Sequence, residues 1–216
     1  MIWLAFMGVI LFLAAGNWSW IQGWTFLAIF AAGSAAFCTW LYRTDPALLA
    51  SRMGSVIQKR QPLWDKLFMA GALIGWNAWL ALMALDAQRF HWSHLPAWLE
   101  VVGGVLIAIG YAAVAPVFRA NSFAAPVVRV QSERGQHVID TGPYALVRHP
   151  MYASAMLYLL GIPLLLGSWF GLLGAAVIAL AISWRATREE QVLARELHGY
   201  SEYMARVRWR LVPYVW

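Results

Sequence analysis

The sequence is poor in charged residues and almost free of cysteine. Only 12% of its 216 residues are charged, against about a quarter in a typical soluble domain. The single cysteine, Cys38, excludes an intrachain disulfide and a cysteine-based metal site. A glycine-rich phosphate loop, a dinucleotide-binding fingerprint, a Gly-x-Ser-x-Gly elbow and zinc-type histidine spacing are also missing. We therefore expect neither a bound metal nor a Rossmann-type nucleotide site.

Apolar residues dominate instead, at 62% of the chain, and they fall into six segments. The third and fourth segments have the roughly 20 residues that a membrane-spanning helix needs, and the other four are shorter. The last two, joined at Gly167-Ser168, are predicted to form a short helical hairpin. The fold class predicted is an all-α, polytopic membrane bundle of about six spans with a small cytoplasmic cap. The segments are 2–15, 24–41, 63–85, 97–118, 151–166 and 169–184.

Basic residues indicate the orientation of this bundle. All of the 16 lysines and arginines except Lys66 and Arg89 lie in the segments 43–61, 119–148 and 185–210. With six spans, these segments share one side of the membrane, and the positive-inside rule makes that side cytoplasmic, together with both termini. The basic residues do not form the compact stripe of a nucleic-acid site, so no nucleic-acid partner is expected. Segment 2–15 lacks the basic start of a signal peptide, and we expect a retained helix.

The chain is predicted to be a single membrane domain, 1–216. Its first part, 1–118, holds four spans, and its second part, 119–216, holds the polar segments that could carry chemistry. Long polar connections of this kind tend to be functional or disordered, and the segments 127–131 and 137–139, which have the pattern of short ordered elements, argue for order.

The densest polar motif runs from Gly142-Pro143-Tyr144 to Arg148-His149-Pro150-Met151-Tyr152. Pro150 suits the first position of a helix and keeps His149 out of the helical conformation. His149 is thus predicted at a helix N-terminus, where free N–H groups can receive an anion. The alternative is that Arg148 and His149 only anchor the helix at the lipid head groups.

Two further motifs follow the hairpin. Arg185 and Glu189 are four residues apart and share a helix face, so they could bind the two ends of a zwitterionic ligand. Alternatively, they belong to a solvated helix with ordinary ion pairs. Segment 199–213 is predicted to be a short amphipathic helix whose Arg and Trp residues rest on the leaflet, with a contribution to a cofactor pocket as the alternative.

In this order, the three motifs resemble the isoprenylcysteine carboxyl methyltransferase family and the related phospholipid methyltransferases. The shared pattern is Gly-x-Tyr, Arg-His-Pro-x-Tyr, an apolar hairpin, Arg followed four residues on by Glu-Glu-x-x-Leu, then Gly-x-x-x-Tyr and a late proline, within 121–213. The resemblance implies an S-adenosylmethionine site formed by cytoplasmic loops and the ends of the last spans, with S-adenosylhomocysteine as product. It implies a substrate-carboxylate role for Arg185 and makes Arg185 and Glu189 the catalytic pair. The implied cofactor contacts are Gln131, Gln136, His137, Val138, Ile139, Tyr144, His149, Pro150, Met151, Tyr152 and Glu189.

Methyl transfer from a sulfonium to a carboxylate or thiolate is an in-line displacement that needs no metal, and no base if the acceptor is ionised. An amine acceptor would need a base, for which Glu189 or Glu190 is the candidate. The expected partner is a lipophilic acceptor that enters from the bilayer. The prenylated-cysteine carboxylate is implied first, and an amino-phospholipid, a small thiol or another hydrophobic acid stays open. A membrane reductase using NADPH and a non-catalytic scaffold are the alternatives from other classes.

Overall fold

The computed structural model describes residues 2–216, and this described part is helical without a strand. Six long apolar helices and two short ones account for most of it, so the expected all-α membrane bundle is confirmed. A π-helical turn, Leu85–Arg89, and two 3-10 turns, Ser132–Arg134 and Gly142–Ala145, lie in the connections. The helices are α1 (Ile2–Ala15), α2 (Ile21–Thr44), α3 (Pro46–Met53), α4 (Leu63–Ala84), α5 (Ala97–Ala120), α6 (Pro150–Leu166), α7 (Trp169–Glu196) and α8 (Tyr200–Arg206).

Four helical stretches are long and apolar enough to cross a membrane: Ile21–Thr44, Leu63–Arg89, Ala97–Ala120 and Trp169–Glu196. The prediction that only the third and fourth segments reach this length is therefore wrong. Helix α2 has 24 residues and α7 has 28, because each helix continues beyond its apolar part into polar flanks. The two helices of the hairpin, α6 and α7, are unequal in length, because α6 has only 17 residues.

Local sequence signals explain where the helices that carry the site begin and end. Pro150 occupies the first position of α6, as predicted. Gly167 adopts a φ of 78° at the turn between α6 and α7, a conformation that favours glycine. The Asp45 side chain accepts from the Leu48 backbone N–H and caps α3.

The chain forms two compact units, and each takes in several separate segments. The first comprises the chain up to Phe37, Gly71–Tyr111 and Ala155–Leu180. Within it, α5 and α6 approach so closely at Gly103 that a Cβ there would overlap the backbone of Leu165. The buried Asp86 carboxylate accepts hydrogen bonds from the hydroxyl groups of Ser93 and Ser168.

The second unit comprises Cys38–Ala70, Ala112–Ser154 and Ala181–Trp216. It contains every residue for which the sequence predicted a functional role. Helix α8 packs through Tyr200 and Tyr203 into an apolar cluster with Leu197 and Val207, against which Val138 of the polar connection also packs. The two long polar segments are therefore ordered and in contact with each other.

Candidate active site

The second unit contains an open pocket of about 760 Å³. Its walls come from the connection after α5, the first turn of α6, the polar end of α7 and helix α8. Two stretches that are separated in the sequence by most of α6 and α7, residues 121–152 and 189–203, therefore meet at one hollow. The predicted site residues that line it are Gln136, His137, Val138, Ile139, Tyr144, His149, Met151, Tyr152 and Glu189.

Glu189 is the one carboxylate among the pocket-lining residues, with 24% of its side chain exposed. It accepts a hydrogen bond of 2.7 Å from the Tyr152 hydroxyl group, which in turn accepts one of 2.6 Å from Arg185. Arg185 also donates from Nε to the Asp65 carboxylate at 2.9 Å, and Asp65 is fully buried. Glu189, Tyr152, Arg185 and Asp65 thus form one hydrogen-bonded network. This network holds the Glu189 carboxylate in place.

His149 lies beside a second ionic group. Its ring stacks on the Tyr152 ring with centroids 5.4 Å apart, and its Nε2 is 3.2 Å from Glu190. Glu190 also accepts from Arg148 at 2.7 Å and from Arg210 at 3.0 Å. Because Glu190 is buried and already holds three partners, it anchors the Arg-His-Pro motif and leaves Glu189 as the carboxylate that faces the pocket.

The C-terminal segment completes this anchoring through the backbone. The backbone N–H groups of Arg148 and His149 donate to the carbonyl groups of Trp209 and Arg210. The backbone N–H groups at the start of a helix have no acceptor within that helix, so this pairing satisfies the N–H groups of the motif. The tail after α8 is therefore part of the support of the site.

Tyrosines form the inner wall of the pocket. The Tyr144 hydroxyl group accepts from the Asn121 side chain at 2.9 Å, and its carbonyl group accepts from Tyr203 at 2.8 Å. Burial raises the pKa values of Tyr144, Tyr200 and Tyr203 above the usual range. All three phenols are consequently neutral near pH 7 and serve as hydrogen-bonding and apolar surface.

Three predicted site residues do not line the pocket. Gln131 is 1% exposed and structural in its contacts, since it donates to the Phe123 carbonyl group and accepts from Arg134. Its backbone N–H holds the side chain of Gln136, which does line the pocket. Pro150 is buried at the start of α6. Arg185 is 5% exposed, and its three guanidinium nitrogens donate to Asp65, Tyr152 and the Pro126 carbonyl group.

One feature of the site, the partner of Arg185, escaped the sequence analysis. Asp65 was not recognised as a partner of Arg185, although a lone carboxylate in an apolar span is a general signal of a polar network. Tyr200 and Tyr203 line the pocket, which agrees with the alternative interpretation of segment 199–213 as part of a cofactor pocket. The interpretation of Arg185 to Glu190 as a solvated helix face is wrong, because Arg185 and Glu190 are each 5% exposed.

The pocket suits a ligand that carries positive charge and an apolar or aromatic portion. Glu189 supplies a fixed negative charge, and Val138, Leu193 and the tyrosine rings supply apolar surface. These properties fit S-adenosylmethionine, whose sulfonium and amino groups are cationic and whose adenine is a flat ring.

A comparison with protein families gives a match to the part of the chain that forms most of the pocket. The family model described as Phospholipid methyltransferase matches residues 98–199, which include α5, the polar connection, α6 and α7 with Glu189. No curated protein matches the chain. Over this segment the chain is similar to the phospholipid methyltransferase family, which agrees with the resemblance of its motifs.

Proposed function

We propose that the protein transfers the methyl group of S-adenosylmethionine to a lipid acceptor at this pocket. The observation that carries the proposal is that residues 121–152 and 189–203 meet at one hollow with Glu189 as its carboxylate. The nine lining residues that the family resemblance implies as cofactor contacts come from both of these stretches. S-adenosylmethionine, when bound, supplies an electrophilic methyl group on a cationic sulfur.

Each residue has a definite task in this proposal. Glu189 binds a cationic group of the cofactor, and Tyr152 holds the Glu189 carboxylate in one orientation through its 2.7 Å hydrogen bond. Arg185 and Asp65 act as positioning residues, because they hold Tyr152 and do not line the pocket. The wall tyrosines exclude water, which strengthens electrostatic interactions at the reacting groups.

The membrane sidedness belongs to the same proposal. The polar segments that surround the pocket carry most of the basic residues of the chain. The positive-inside rule favours a cytoplasmic position for these segments and for both termini. S-adenosylmethionine is a soluble cytoplasmic metabolite, so an active site on this side would have direct access to it.

The acceptor is the open part of the mechanism. A carboxylate acceptor, as in isoprenylcysteine O-methylation, was expected to pair with Arg185. Because Arg185 is already paired with the buried Asp65, such an acceptor would have to displace that ion pair. This observation favours a second candidate, N-methylation of an amino-phospholipid, in which the amine nitrogen forms the new bond to carbon, the sulfur–carbon bond breaks, and Glu189 takes the proton.

The chemical stability of the product distinguishes the two acceptors. Membrane lipid extract would be incubated with the purified protein and S-adenosylmethionine labelled in the methyl group. Label that is released by mild base indicates a methyl ester, and label that survives indicates a methylamine. A product of neither kind, with no transfer to any lipid fraction, would contradict methylation of a lipid.

The cofactor assignment is tested by binding. We expect the wild-type protein to bind S-adenosylhomocysteine and not NADPH, and Glu189→Gln to weaken that binding by about tenfold or more, as for loss of a charged hydrogen-bond partner. Glu196→Gln is the matched control, because Glu196 is exposed on the same helix and does not line the pocket. Isothermal titration calorimetry in detergent gives both affinities. Wild-type affinity in Glu189→Gln, or NADPH binding in its place, would overturn the assignment.

A further inference from the structure

Arg52 differs from Arg148 and Arg185, two other arginines at or next to the pocket wall, because it has no carboxylate partner within residues 2–216. Arg148 is paired with Glu190 at 2.7 Å and Arg185 with Asp65 at 2.9 Å. Among residues 2–216, no carboxylate oxygen lies within 4.0 Å of the Arg52 guanidinium. An arginine that is partly buried without a counter-ion leaves its charge uncompensated, which is costly unless an outside group supplies the anion.

The Arg52 guanidinium touches the wall of the pocket from outside. Its Nη1 donates to the Ala124 carbonyl group at 2.8 Å and lies 3.6 Å from the Met151 sulfur. Both Ala124 and Met151 line the pocket. Only Nη1 donates to the described part of the chain, so Nε and Nη2 are available to a ligand. Burial lowers the pKa of Arg52, and Tyr144 and Tyr152 of the pocket act on it in the opposite direction.

The surroundings of Arg52 are those of a lipid-facing site. Helix α3 follows the candidate span α2 after a single residue, and the guanidinium lies 4.6 Å over the ring of Phe118, near the end of the candidate span α5. The ends of spans are where lipid head groups lie. The next apolar residues along the chain, Met53, Val56 and Ile57, are 76%, 43% and 56% exposed. Exposed apolar side chains beside a cation suit a lipid better than a soluble anion.

We propose that Arg52 binds the anionic group of the acceptor lipid and thereby determines which lipids are methylated. The proposal rests on the methyltransferase function proposed above and adds to it the residue that recognises the phosphate or carboxylate of the acceptor head group. A guanidinium binds either group through two parallel N–H donors. Bound to Arg52, the head group lies next to Met151 and the pocket, and the acceptor atom extends from the head group toward Glu189.

The test compares two lipids with the same acyl chains, of which only one carries a phosphate, as part of a phosphoethanolamine head group. Dioleoylphosphatidylethanolamine and dioleoylglycerol are added to wild-type protein and to Arg52→Gln, Arg52→Lys and Arg43→Gln in detergent, and apparent affinities are taken from thermal unfolding. Arg43→Gln is the matched control, since Arg43 is an exposed arginine near the end of α2 and does not line the pocket. We expect Arg52→Gln to bind the phospholipid about tenfold or more weakly, with dioleoylglycerol affinity unchanged. Arg52→Lys keeps the charge but loses the planar fork and should lie between.

Several outcomes would overturn the proposal. Equal phospholipid affinity in wild type and Arg52→Gln would do so, as would an equal loss in Arg43→Gln, which would indicate diffuse attraction. Stabilisation by inorganic phosphate equal to that by the phospholipid would assign Arg52 to a free anion. A parallel loss of S-adenosylhomocysteine affinity in Arg52→Gln would assign it to support of the pocket. If wild type binds no S-adenosylhomocysteine, the methyltransferase function fails, yet the phospholipid comparison still reports on Arg52.

Discussion

The buried ion pair between Asp65 and Arg185 supports the sharpest prediction on stability. Asp65 is fully buried and accepts from Arg185, from Gln61 at 2.8 Å and from the Val128 backbone N–H at 2.9 Å. Asp65→Ala leaves the Arg185 guanidinium buried without a counter-ion and removes the acceptor of two further donors. Breaking one side of a buried pair costs about 3 to 5 kcal/mol.

This loss is large enough to measure directly. For a chain of this size it corresponds to a fall in the unfolding midpoint of roughly 6 to 20 °C. The 14 tryptophans provide an intrinsic fluorescence signal for thermal unfolding in detergent. Asp140→Asn is the control, because it breaks the exposed ion pair between Asp140 and Arg206, and exposed pairs contribute little.

The double variant Asp65→Ala/Arg185→Ala tests the reasoning itself. If the cost comes from an uncompensated charge, the double variant should be more stable than the sum of the single losses predicts. Additive losses, or a single loss below about 1 kcal/mol, would refute a buried pair. We also expect Asp65→Ala to weaken S-adenosylhomocysteine binding, because Arg185 would no longer hold Tyr152 against Glu189.

Two further predictions concern pH and helix packing. Burial raises the pKa values of Tyr144, Tyr200 and Tyr203 in the folded state, so the unfolded chain loses these protons at a lower pH than the folded chain does. The free energy of unfolding should therefore be constant below about pH 10, the usual pKa of a phenol, and fall as the pH rises above it. Thermal unfolding between pH 8 and pH 11.5 measures this fall. Gly103→Ala should lower the unfolding midpoint by several degrees, since overpacking costs about 1 to 3 kcal/mol, whereas Gly71→Ala, with no atom within 4 Å of the added Cβ, should not.

A specific result would contradict each of these two predictions. A midpoint that stays constant across the alkaline range would show that folding does not raise the pKa values of these phenols. The slope should also diminish in Tyr203→Phe, which removes one of the titrating groups. Equal midpoints for the Gly103 and Gly71 variants would show that α5 and α6 do not approach as closely as the structure indicates.

Composition and motif order determined the class of protein without any coordinates. Apolar runs cannot be placed in water, so the long segments required a membrane bundle, and the bundle is what the structure has. Pro150 and the order of the motifs around the α6–α7 turn indicated both a helix start and the family. These signals are local, and each can be read from neighbouring residues alone.

The lengths of α2 and α7 could not be predicted from such local signals. The apolar segment that hydropathy detects ends where the side chains become polar. The backbone hydrogen bonds nevertheless continue the helix to Thr44 in α2 and to Glu196 in α7. The four-residue spacing of Arg185 and Glu189 likewise predicted a shared face. It could not show that Tyr152 stands between them as the hydrogen-bonding partner of both.

The sequence by itself determined that the protein is a membrane bundle, where its polar segments lie and which residues around Tyr144, His149 and Glu189 belong together. Only the tertiary structure decided which charges are already paired. Asp65 meets Arg185 across 120 residues of chain, while Arg52 meets no carboxylate within residues 2–216. Ion pairing over such a distance depends on how helices pack in three dimensions, and no local pattern of residue types records that packing.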